Sequence, residues 1–144
     1  DPTSAQPTFT ADLAGMYVVT LTVNDGFVDS APSNVTVVAL TVQDALTDTL
    51  EDALDVVNGL DEESFEKSKR RKKLAKKINV VLDKIEKGKY TQAYDTLVHD
   101  ILPKTDGCAW GGAPDADDWI TDCEAQDALY PLLLDAMLLL ELLI

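Results

Sequence analysis

The hydrophobic pattern changes period once, near Thr41, and that change limits what the chain can build. Before it, residues 15–24 (GMYVVTLTVN) alternate, so that Tyr17, Val19, Leu21 and Val23 point one way and Val18, Thr20 and Thr22 the other. A period of two is that of a half-buried strand. Asn24-Asp25-Gly26 supplies turn chemistry and Ala31-Pro32-Ser33 a second break. Val35 and Val37 then continue the alternation through residues 34–42, and Thr8-Phe9-Thr10 reads as a short third strand.

After residue 41 the apolar spacing becomes three and four, the period of a helix. Leu46, Leu50, Ala53, Leu54, Val57 and Leu60 form one stripe, with Asp44, Asp48, Glu51, Asp52 and Asp55 opposite and Asn58-Gly59 as the stop. Asp61 is placed as the N-cap of a second helix, with Glu62 and Glu63 in its first turn and Phe65, Leu74, Ile78, Val81, Leu82 and Ile85 as its stripe; Gly88 ends it. The third helix starts near Thr91, aligns Tyr90, Tyr94, Leu97 and Ile101, and closes at Pro103. A fourth is expected to begin within residues 115–118 and to run through Pro131, whose ring shares a solvent-side arc with Glu124, Asp127, Asp135 and Glu141. Leu134, Leu138 and Leu142 fall in that same arc, so this helix is apolar nearly all round, as suits a central or interface helix.

The expected fold class is therefore α+β. Residues 1–42 carry strands of an incomplete antiparallel β-sandwich, and residues 43–144 a four-helix bundle-like domain with one disulfide. A sandwich needs about seven strands and about 100 residues to close two sheets over a core. Two or three strands with an apolar face are marginal alone, so their cover is expected from another copy of the chain, from a cleaved upstream fragment of the same precursor, or from the chain's own helices. The sequence has no initiator Met and no signal-peptide h-region, which leads to the expectation that it begins after a processing or cutting event.

Charge and cysteine content narrow the class of partner. The net charge of −14 is unevenly spread, because residues 64–89 hold eleven of the twelve bases. One cationic helix thus lies among acidic segments. Residues 67–77 invite a nucleic-acid reading, but no aromatic side chains interleave with the bases, and the acidic segments can neutralise them; no nucleic-acid partner is expected. Residues 132–144 are too short and too acidic for a membrane span. Cys108 and Cys123, the only two cysteines, cannot complete a zinc site and form no Cys-x-x-Cys, so they are read as one structural disulfide, which favours an oxidising, extracellular or cell-surface location.

Two stretches carry family likenesses. Residues 7–42, with the run Gly15-x-Tyr17-x-Val19-x-Leu21-x-Val23, resemble the closing strands of a PKD-type immunoglobulin-like β-sandwich, although the Trp-Asp-Phe-Gly-Asp-Gly-like signature of that family has no counterpart here. Residues 44–143 are similar to the FIMAH-like helical module of secreted bacterial multidomain proteins. The residues that carry this likeness are the basic run from Lys69, the segment Gly88-Lys-Tyr-Thr-Gln-Ala-Tyr-Asp-Thr-Leu97, and the bracket formed by Asp106-Gly-Cys108 and Asp118-Trp-Ile-Thr-Asp-Cys123. That resemblance implies an extracellular module beside PKD-like and carbohydrate-active domains, and it brings no catalytic residues.

Each candidate site has a plainer rival. Asp106, Asp115, Asp117, Asp118 and Asp122 crowd the Cys108–Cys123 loop and offer hard oxygen ligands that suit Ca²⁺, but their spacing is not that of an EF-hand, and helix capping uses the same side chains. Trp110 and Trp119 could present a sugar-stacking platform or simply pack the loop. His99, one turn after Asp95, has no nucleophile or second histidine beside it, and no enzyme activity is expected.

Two functions remain. The first is a non-catalytic structural module of an extracellular assembly, completed by neighbouring chains through the sheet face of Tyr17, Val19, Leu21, Val23, Val35 and Val37 and the outer leucines Leu134, Leu138 and Leu142, and able to grow into a filament. The second is a carbohydrate- or Ca²⁺-binding accessory module cut from a secreted enzyme; no other cofactor is implied.

Overall fold

A computed structural model describes Gln6 and residues 8–144. The chain forms two compact units, the second running Val42–Ile144; residues 1–5 and Pro7, which the first domain reading and the PKD-type likeness include, lie outside the described residues.

In the first unit β1 (Gly15–Leu21) and β2 (Ser33–Ala39) pair antiparallel, with Tyr17 opposite Val37 and Val19 opposite Val35. Because side chains alternate, this register puts Tyr17, Val19, Leu21, Val35 and Val37 on one face. Met16, Val18 and Val38 fall on the other. The link between the strands is shaped by Asn24-Asp25-Gly26. Asn24 Oδ1 accepts from the Gly26 amide, and Asp25 Oδ1 accepts from the amides of Phe27 and Val28 at 2.9 Å each. Gly26 has φ 95°, a left-handed conformation that a side chain disfavours. Those two amides hold the Asp25 carboxyl below its usual range.

The sheet has two strands among the described residues, and a sandwich is not seen. Residues 8–10 form no strand. Phe9 sets its ring 5.8 Å from that of Tyr17, whose hydroxyl donates to Leu13 O at 2.7 Å, so local contacts replace the expected third ladder. Val23 lies past the end of β1, where its amide and carbonyl bond Ser30.

The second unit holds five α-helices: α1 (Val42–Gly59), α2 (Lys69–Glu86), α3 (Tyr90–Thr96), α4 (Gly107–Gly111) and α5 (Cys123–Glu141). α1 packs on α2 and α5, and α3 packs on α2 and α5. The stripes meet in one core: Leu46, Leu50, Ala53 and Val57 from α1, Leu74, Ile78, Val81 and Ile85 from α2, and Ala125, Leu129, Leu133, Ala136 and Leu140 from α5. Two tyrosine hydroxyls tie α3 to its flanks, Tyr90 donating to Gln43 at 2.8 Å and Tyr94 to Glu141 at 3.0 Å. The Glu141 carboxylate pushes the Tyr94 phenol above its usual range.

Several boundaries differ from the sequence reading. Asp61 opens only a 3₁₀ turn at Glu62–Ser64, and α2 begins at Lys69. Phe65 is not on a helix: it bridges Ile120, with the Thr121 amide donating to Ser64 O and the Glu66 amide to Trp119 O. A nonlocal backbone pairing therefore wins over the local capping pattern. After α3 the chain makes a π turn over Leu97–Ile101 and a 3₁₀ turn over Leu102–Lys104, which contains Pro103. The last helix starts at Cys123, not within residues 115–118, because Asp118 is drawn inside the loop and Asp122 takes the cap, accepting from the Glu124 amide at 3.1 Å. Pro131 is exposed within α5, so its ring displaces nothing from the core and the helix continues past it.

Candidate functional site

The disulfide-closed loop is built around one carboxylate and one amide. Cys108 and Cys123 are bonded, with Cα atoms 5.5 Å apart, which ties α4 to the first residue of α5. Inside the loop Asp118, only 3% exposed, accepts from the Asp106 amide at 3.2 Å, from the Asp115 amide at 2.8 Å and from Gln126 Nε2 at 2.9 Å. Gln126 is equally enclosed. Its Nε2 also donates to Ile120 O at 2.8 Å, and its Oε1 accepts from the Cys108 amide at 2.9 Å. A buried charge is tolerable only when it is hydrogen-bonded, and three donors serve this one. Gly107 makes room for the arrangement, because a Cβ there would fall on the Asp118 carboxylate and the Asp115 amide.

The other acids of the loop are also committed to backbone or ion-pair contacts. Asp115 accepts from the Asp117 amide at 2.8 Å, Asp117 lies 3.9 Å from Lys104 Nζ, and Asp122 caps α5. Burial, and then the nearby Asp115 and Asp118, raise the Asp106 carboxyl above its usual range. Among the described residues no group of three histidine, cysteine or acidic side chains is placed to hold a metal ion. Asp115, Asp118 and Asp122 thus serve backbone donors and Asp117 faces a lysine, so the five acids close in sequence do not turn to a common point in space.

Trp110 and Trp119 are held by different elements. Trp110 is 79% exposed on α4, and its Nε1 donates to Tyr130 OH of α5 at 3.0 Å. Trp119 is half-buried; its backbone bonds Lys104 and Glu66, and the Arg70 guanidinium covers its ring at 4.5 Å. Arg70 also pairs with Glu66, which Lys67 and Arg70 together hold below its usual carboxyl range. Beside this stack Lys73, Lys76, Lys77, Val80 and Trp119 line a cleft of about 330 Å³. The sequence showed bases without interleaved aromatics; the fold brings one aromatic ring, Trp119, to Arg70 and to Lys73, Lys76 and Lys77 from a distant part of the chain, and no local pattern announces that.

Among the described residues the cationic helix makes no ion pair with Asp48, Glu51, Asp52 or Asp55 of α1; its ion pairs reach Glu66, Glu62 and Asp100. Those two charged faces both look outward. The outer leucines of α5 divide, with Leu134 half-buried against the core, Leu138 53% exposed and Leu142 71% exposed. No helix among the described residues is long and apolar enough to cross a membrane.

The hairpin is the most exposed apolar surface. None of the buried hydrophobic side chains belongs to the first unit among the described residues, while Leu21, Val23 and Val35 are each more than half exposed, as are Met16, Val18 and Val38 on the opposite face. Compared with family models, curated proteins and solved structures, the chain matches none.

Proposed function

We propose that the chain is a non-catalytic structural module of an extracellular assembly, in which the β1–β2 hairpin is completed by strands of a second copy. The observation that carries this reading is a sheet of two strands among the described residues, with exposed apolar side chains on both faces, that contributes nothing to a core of its own. Each large apolar side chain gains about 1.5–3 kcal/mol on full burial, and covering the five or six partly exposed ones of one face gives a gain of the same order as the cost of bringing two chains together. The free edges of β1 and β2 offer unpaired backbone groups to an added strand. Leu138 and Leu142 provide a second apolar patch on α5, and pairing of unlike patches propagates if it does not close on itself. The likeness to PKD-type strands and to FIMAH-like modules points to the same setting, and the disulfide fits an oxidising compartment.

Light scattering on the eluted protein at micromolar concentration tests the reading. The expected mass is a multiple of 15.7 kDa. Val19→Asp with Val35→Asp, which puts two facing carboxylates in the middle of the sheet face, should lower the measured mass by removing the association that the hairpin supports. A monodisperse wild-type monomer whose residues 15–39 are protected from hydrogen exchange would overturn it.

A further inference from the structure

α1 and α2 each carry a ladder of four like charges, and the two ladders have the same geometry. Asp48, Glu51, Asp52 and Asp55 stand at i, i+3, i+4 and i+7 on α1, and Lys69, Lys72, Lys73 and Lys76 stand at i, i+3, i+4 and i+7 on α2. All eight are exposed, and none makes an ion pair among the described residues. On each helix the ladder lies opposite the buried stripe, Leu46 to Val57 on α1 and Leu74 to Ile85 on α2, so both ladders face away from the shared core and cannot interdigitate within one copy. The spacing reads the same in both directions, and each ladder spans about 10 Å of helix. A second copy can therefore register its acidic ladder on the basic one whether the helices run parallel or antiparallel.

We infer that the outer face of α2 in one copy docks on the outer face of α1 in another, forming a charged helix-to-helix interface. The occupant follows from complementarity, since this chain itself supplies four acids matched in spacing to four lysines. Every copy carries both halves, so the contact can close a pair or extend a chain. This interface deepens the assembly reading above but uses different residues from the hairpin. Net repulsion between copies of charge −14 opposes it over long distances. At ~0.1 M salt the Debye length is about 10 Å, which screens distant charges more than facing pairs.

Sedimentation in ~0.1 M salt, with the full chain carrying Val19→Asp and Val35→Asp to silence the hairpin, gives the test. Reversing one ladder, either Lys69, Lys72, Lys73 and Lys76 to Glu or Asp48, Glu51, Asp52 and Asp55 to Lys, should weaken association by about tenfold or more. Reversing both together leaves net charge unchanged and should restore association, as should mixing the two singly reversed proteins. Raising salt to ~1 M should weaken the parent and the doubly reversed protein alike. If single reversals associate as the parent does, or if the double reversal is no better than either single, the interface is wrong. A parent that stays monomeric at low salt while capturing a polyuronate or DNA through α2 also overturns it, by giving that face to another partner. Failure of the hairpin reading is separate: it shows as Val19→Asp with Val35→Asp leaving wild-type association unchanged.

Discussion

Gln126 and Asp118 show how a polar pair can hold a small domain as firmly as an apolar contact. Gln126 satisfies three groups at once, the Cys108 amide, the Ile120 carbonyl and the Asp118 carboxylate. Removing a partner from a buried polar group costs about 1–3 kcal/mol, and more when the group left behind is charged. Gln126→Leu should therefore lower the stability of the helical unit by about 3 kcal/mol or more, read from urea unfolding followed by far-UV circular dichroism. Asp106 works in the opposite direction. Its carboxyl is raised in the folded chain by burial and by Asp115 and Asp118, so through the window between its unfolded and folded pKa the folded state holds more protons. Stability from this group then falls as pH rises through that window. Asp106→Asn should stabilise the protein at neutral pH and have no such effect in acid below the usual carboxyl range; unfolding curves at the two pH values check this.

At the scale of the element, the loop between α4 and α5 is the part most dependent on a covalent tie. The cysteines are 15 residues apart in sequence, and closing a loop of that length stabilises by about 3 kcal/mol in the chain-entropy model. Reduction should lower the unfolding midpoint by a corresponding amount while leaving the stripes of α1 and α2 helical, and circular dichroism with and without reductant reads both. α5 contains a defect of its own. Pro131 is exposed inside the helix and donates no backbone hydrogen bond. Since proline is about 3 kcal/mol less favourable than alanine in a helix interior, Pro131→Ala should raise stability by about 1–3 kcal/mol. An unchanged or lowered midpoint would mean that the proline ring itself serves the packing of the helix.

For the molecule as a whole, the decisive asymmetry is that every buried hydrophobic side chain among the described residues lies in Val42–Ile144. That unit should fold without the hairpin. A protein beginning at Val42 is expected to keep cooperative thermal unfolding and its helical spectrum, and to lose the association that depends on Val19 and Val35. The hairpin segment alone should show little amide dispersion by NMR, since two strands without a covered face are marginal in water. If residues 8–41 proved stably folded in isolation, the assembly reading would lose its motive.

Local pattern was enough for the two paired strands and the long helices, though not for all of their ends. The alternation around Tyr17 and Val35, the leucine stripes of α1 and α2 and the Cys108–Cys123 bond follow from periodicity, short-range sterics and pair counting, the first two of which operate over a few residues. The start of α2 was not legible, because Phe65 is claimed by Ile120 from fifty-five residues away. Nor was the setting of Trp119, which Arg70 covers only after the chain has folded back on itself. The sequence also shows five aspartates near one loop without showing that Asp118 turns inward to serve Gln126 while Asp122 turns to α5. Directions of that kind depend on which distant backbone groups are left without partners, and the tertiary structure alone decides them.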